Sequence, residues 1–142
     1  MATFTGIYAE VAINSTVVVP PQKPDIECII GNNIEVEITK AEVIDTNLLY
    51  PESPDPANPQ ALKKVIVTGV AKIIVKYSAL ERTQRVHGAH FNIPFCKLIE
   101  WPDGPAQGAP IQIIPVIEYA KFIRKDARNI LQGILIRLDV YR

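Results

Sequence analysis

The chain has 142 residues, with fifteen Lys and Arg balancing fifteen Asp and Glu. That length suits one domain, which buries roughly 68–70% of its unfolded surface and needs neither disulfides nor a metal to hold a core. A formal charge of zero excludes the positive field that gathers nucleic acid, and 48% hydrophobic with 21% charged residues excludes a disordered or collagen-like chain.

The opening MATFTGIYAEVAINSTVVVPP has no basic n-region or cleavage pattern, and no segment approaches the about 18 apolar residues of a membrane span. The expectation is synthesis in the cytoplasm without a signal peptide and without membrane insertion. Residues 3–13 alternate, with Ile7, Ala9, Val11 and Ile13 on one face, and Val17-Val18-Val19 follow before Pro20-Pro21 stops regular pairing. Residues 1–19 therefore read either as the first strand of the domain or as an arm that adds to the edge of a neighbouring subunit. On the second reading Ile7, Ala9, Val11, Ile13, Val17 and Val19 form the assembly interface.

Residues 33–39 alternate cleanly, Ile34, Val36 and Ile38 against Glu35, Glu37 and Thr39, and 41–49 continue the sheet. The segment YPESPDPANPQ, residues 50–60, carries four prolines and reads as a surface loop. The longest strand follows, with Val65, Val67, Gly69, Ala71, Ile73, Val75 and Tyr77 on one face. Gly69 within it marks a bend, a bulge or a close backbone approach, and a long bent strand of this kind can serve both sheets of a sandwich. Residues 84–95 alternate again, and WPDGPAQGAP at 101–110 is turn-prone. Residues 111–122 form a strand that tolerates Pro115 only at an edge, and 129–141 is the last strand, with Gln132 the polar exception on its apolar face. Between these two, EYAKFIRKDARN fits a short helix by spacing, but strand–turn–strand with Lys125-Asp126 near the turn is preferred. Six to eight strands without helices predict an all-β, antiparallel sandwich or partly open barrel with an N-terminal extended arm.

Chemistry-bearing patterns are scarce. GxGxxG, P-loop and GxSxG motifs are absent. His87 and His90 point to opposite faces of a strand and cannot share a metal locally. Glu52, Asp55 and Asp103 sit in proline-rich loops and read as solvated turn residues, and Lys72, Lys76, Arg82 and Arg85 as a salt-bridged or solvated strip rather than a polyanion site. Cys28 and Cys96 read first as buried free thiols and second as a disulfide, within one chain or between subunits. Trp101 reads first as a packing anchor, and otherwise as a stacking platform for carbohydrate. No catalytic residue, metal site or cofactor is expected.

Three ordered blocks, VVPPQKPDIECII (18–30), KKVIVTGVAKIIVKYSA (63–79) and AHFNIPFCKLIEWPDG (89–104), resemble the SPOCS domain family of spore-forming Gram-positive bacteria. DARNILQGILIRLDV (126–140) adds a looser likeness, an Asp-x-Arg turn before a terminal strand, so that the resemblance covers about residues 18–142. It implies a non-enzymatic β domain for protein–protein contacts in spore envelope assembly; the 1–19 arm, beside a 20–142 sandwich, is an addition specific to this chain. Longer family members carry a LysM module, for which this chain leaves no segment, so wall tethering is not expected; the 1–19 extension and the loop at residues 50–62 point instead to a stand-alone subunit whose additions make contacts. The leading expectation is a self-assembling subunit of a spore-surface filament or lattice, whose partner is itself. An adaptor for another spore-coat protein is the alternative, and a carbohydrate or small-molecule module the third.

Overall fold

A computed structural model describes residues 2–49 and 60–142. The 50–60 loop of the sequence reading lies almost entirely outside the described residues. Six strands follow one another: β1 Phe4–Val18, β2 Ile26–Leu49, β3 Ala61–Ala79, β4 Val86–Glu100, β5 Gln112–Arg124 and β6 Asn129–Tyr141. They form two three-stranded antiparallel sheets, ordered β1-β6-β5 and β2-β3-β4, in a sandwich rather than a closed barrel. The fold class is thus all-β, as the alternation requires, and the described residues contain no helix.

The two central strands carry the most apolar alternation and face each other across the core. On β3, Val65, Val67, Ala71, Ile73, Val75 and Tyr77 are sealed from solvent, and on β6 so are Ile130, Ile136, Leu138 and Val140. Each such large side chain stabilises the fold by about 1.5–3 kcal/mol relative to exposure. Gln132 shares the inward face of β6 and is also buried, with its Nε2 donating to Ser15 Oγ at 3.0 Å. Trp101 closes one end of the core, only 6% exposed, and its ring lies against Gly104.

Two sequence expectations change. Residues 33–39 and 41–49 belong to one long strand, β2, whose register slips between Ile38 and Lys40. The long strand β3 serves one sheet only, as its centre. Gly69 supplies closeness rather than a sheet-switching bend: a Cβ there would stand 2.7 Å from the Glu37 carbonyl and 2.7 Å from Phe95 Cζ. The segment after β5 is strand–turn–strand, with Lys125 and Asp126 in the turn before β6.

Candidate assembly surface

The segment Pro20–Asp25 carries the chain from one sheet to the other and has no ladder to satisfy its carbonyls. Arg128 does this from the opposite end of the sequence. Its Nη2 donates to the carbonyls of Val19 (3.0 Å) and Pro20 (2.7 Å), and its Nη1 to the carbonyl of Lys23 (2.7 Å) and to Asp25 Oδ1 (3.1 Å). The Tyr77 hydroxyl donates to the Pro24 carbonyl at 2.8 Å. Burial comes first among the causes that raise the phenol above its ordinary range, opposed by Arg128. Asp126 fixes the turn that presents Arg128, accepting from the amides of Arg128 (2.9 Å) and Asn129 (2.8 Å) and from the Asn129 side chain. Those donors, the Arg128 amide foremost, hold the Asp126 carboxyl below its usual range.

A carboxyl lowered on folding stabilises the native state above the unfolded pKa of about 3.9 and loses that contribution as pH falls through the lower folded value. The stability gap between wild type and Asp126→Asn should be full near neutrality and close progressively in acid. Urea midpoints across an acid series check this, and a pH-independent gap would count against the turn assignment.

The N-terminal residues form a strand of the sandwich in their own chain. From Tyr8 to Val18, β1 pairs with β6 in a single unbroken register. Ile13 and Val19 join the core, while Ile7, Ala9, Val11 and Val17 pack against it partly buried. All six residues expected to contact a neighbour thus point into their own subunit. The 1–19 segment is thereby integral to the same sandwich as 20–142, through β6.

What β1 exposes is its other edge. The Val19 amide donates to the Arg128 carbonyl at 2.9 Å, continuing the β1–β6 register by one residue. Hydrogen-bonded pairs alternate along an antiparallel ladder, so odd-numbered residues from Ala9 to Val17 bond to β6. Tyr8, Glu10, Ala12, Asn14, Thr16 and Val18 turn their backbone N–H and C=O the other way, where no described strand pairs with them.

The sandwich has four edge strands, and three carry a device against pairing. Pro94 lies in β4 and Pro115 in β5, where a missing amide donor is tolerated. β5 also shifts register between Ile117 and Tyr119. The register of β2 is interrupted between Ile26 and Cys28, Ile29 and Gly31, Ile38 and Lys40, and Asp45 and Leu49. β1 has one irregularity, before Tyr8 at Gly6, whose φ is 82°, and none across its remaining length. Its even-numbered residues include a single charge, Glu10.

The outer face of the β1-β6-β5 sheet carries an apolar patch on β5 and β6. Tyr119, Ile123 and Leu131 are 55%, 45% and 40% exposed. With Gly133, beside which a side chain would meet nothing within 4 Å, they border an open groove of about 270 Å³ that Asn14, Lys121 and Gln132 also line. At the far end of this face Arg137 grips Asp139 through Nε at 2.7 Å and Nη2 at 2.9 Å, under the Tyr8 ring at 5.3 Å. The pair, Asp139 first, raises the Arg137 pKa further.

Other sequence candidates separate in space. Both thiols are free and exposed, which corrects the buried reading. Cys28 lies opposite Ser78 and Cys96 opposite Thr68, ten residues away along β3. That is about 33 Å at roughly 3.3 Å per residue, whereas a disulfide holds Cα atoms within about 7 Å, so a bond within one chain is excluded. His87 stacks on Tyr77 at 5.9 Å, and His90, opposite Ile74, faces outward. Among the described residues no cluster of His, Cys, Asp and Glu is placed to hold a metal. Lys72 pairs with Glu37 at 2.5 Å and Arg85 with Glu81 at 3.2 Å, so half of the basic strip is neutralised locally. Asp103 is exposed, and Glu52 and Asp55 lie outside the described residues. The buried Trp101 cannot act as a stacking platform. Among the described residues no helix is long and apolar enough to cross a membrane.

A family model described as SipL, SPOCS domain, matches residues 25–123. The match holds β2, β3, β4 and nearly all of β5 but stops before β6, so the sheet to which β5 belongs is completed by strands outside it. No curated protein and no solved structure matches the chain.

Proposed function

Because the chain belongs to the SipL SPOCS domain family, a sporulation-related family, we propose that it is a non-enzymatic structural subunit of the spore envelope that associates with copies of itself, beginning at the open edge of β1. One observation carries this reading: three edges of the sandwich are blunted and β1 is not. An open edge is a standing cost in aggregation risk, and its retention on an otherwise guarded fold is accounted for by use. The exposed Cys28 and Cys96 thiols, too far apart to join within one subunit, are available to bond between subunits after deposition in an oxidising layer.

The groove over Gly133 supports a second reading, an adaptor. Its apolar lining together with Lys121 suits an acidic segment of a different spore-coat protein. Sedimentation velocity on a dilution series of the purified chain separates the two. The first reading expects mass-dependent association, with rows or filaments under negative stain and a reductant-sensitive ladder on gels of oxidised material. A monomer persisting at the highest concentration overturns it and leaves the adaptor.

A further inference from the structure

We infer that the open edge of β1 pairs with the same edge of a second copy, antiparallel about a two-fold axis at Ile13, joining two three-stranded sheets into one of six strands. The inference rests on the self-association reading and specifies its contact. The unbroken stretch Tyr8–Val18 has Ile13 at its midpoint, so this register pairs the whole edge with itself. It sets Tyr8 opposite Val18, Glu10 opposite Thr16 and Ala12 opposite Asn14 of the other copy. These are the residues whose N–H and C=O face away from β6, as a new ladder requires.

Side chains agree with the same register. On the outer face Glu10, the one charge, meets a threonine hydroxyl and never its own copy, so no like charges oppose. On the inner face Ile13 meets Ile13, Val11 meets Ser15 and Ala9 meets Val17. Ala9, Val11 and Val17 retain partial exposure because they lie on an edge strand, and an added strand covers that remainder. The contact is isologous and closes at two copies. Higher assemblies then need a second surface, such as the outer-face groove or the thiols.

Sedimentation velocity on four forms of the whole chain tests this. Ala12→Pro removes an amide that faces the open edge and none that bonds β6, so it should leave the thermal unfolding of the monomer within a few degrees of wild type and abolish the dimer. Thr16→Glu places two carboxylates against the two Glu10 side chains and should weaken dimerisation about fivefold, whereas Thr16→Lys creates two cross-strand ion pairs and should strengthen it by a similar factor. Position 16 is exposed, so both variants fold even if the proline variant does not. Wild type that associates while Ala12→Pro, folded, associates equally overturns the β1 contact and leaves self-association standing. Equal effects of Glu and Lys at position 16 overturn the register. Wild type that stays monomeric overturns the self-association reading itself, and this inference with it.

Discussion

Arg128→Ala is expected to lower the urea midpoint by about 2 M, a loss of about 3 kcal/mol at a slope of roughly 1.5 kcal/mol/M. The guanidinium serves four acceptors at once, three of them carbonyls of the Val19–Lys23 stretch, which contains no strand pairing beyond Val19. An exposed ion pair with Asp25 alone is worth about 0–1 kcal/mol, so the magnitude distinguishes a carbonyl staple from a surface salt bridge. Arg128→Lys should recover less than half of the loss, because one ammonium on a flexible stem cannot fork to four acceptors. Asp25→Asn, which removes the ion pair and leaves the carbonyl contacts, should cost less than either. A shift for Arg128→Ala no larger than that for Asp25→Asn would overturn the staple.

That staple also shows what the sequence conceals. Arg128 lies 103 residues from Asp25 in the chain, and no local pattern ties the Pro-Pro segment to the Asp-x-Arg turn. The turn itself was legible, since Asp followed by small and polar residues between two apolar runs offers its carboxylate to the amides that follow. The same division holds for the strands. Alternation in β3 and β6 gives both their extent and the face that is buried, down to Gln132 as the inward exception, because period two maps directly onto a sheet face. Pairing partners do not follow from it. Whether residues 3–13 meet β6 of their own chain or a neighbour is a matter of register and loop reach, and the apolar face of β1 is required in either case. The assembly residues chosen from that apolar face consequently point inward, while the edge that remains open belongs to the even-numbered residues, whose backbone direction no side-chain pattern reports. The thiols depart from expectation for a simpler reason: cysteine is among the most buried residue types, yet both occupy outward positions of edge strands, in register with Ser78 and Thr68.

The same substitution at two strand glycines is expected to act with opposite sign. Gly69→Ala puts a methyl 2.7 Å from the Glu37 carbonyl oxygen and 2.7 Å from the Phe95 ring, in the buried face of a central strand. The ring can turn aside, but the carbonyl belongs to the β2 backbone at the point where β2 slips register between Ile38 and Lys40. Overpacking of this kind costs about 1–3 kcal/mol, and a clash against backbone belongs at the upper end. Phe95→Leu, combined with Gly69→Ala, should return part of that cost and no more, since it relieves the ring and leaves the carbonyl; the double-mutant cycle measures the ring's share. At Gly133, also in a central strand but on the open face, the added methyl meets nothing within 4 Å. There alanine narrows the unfolded ensemble without native strain, which stabilises by about 0.4–1 kcal/mol. Urea unfolding of the two single variants should therefore differ by about 3 kcal/mol. Equal effects would mean that the strand glycines differ only in intrinsic propensity, and that Phe95 and the β2 slip are not built around Gly69.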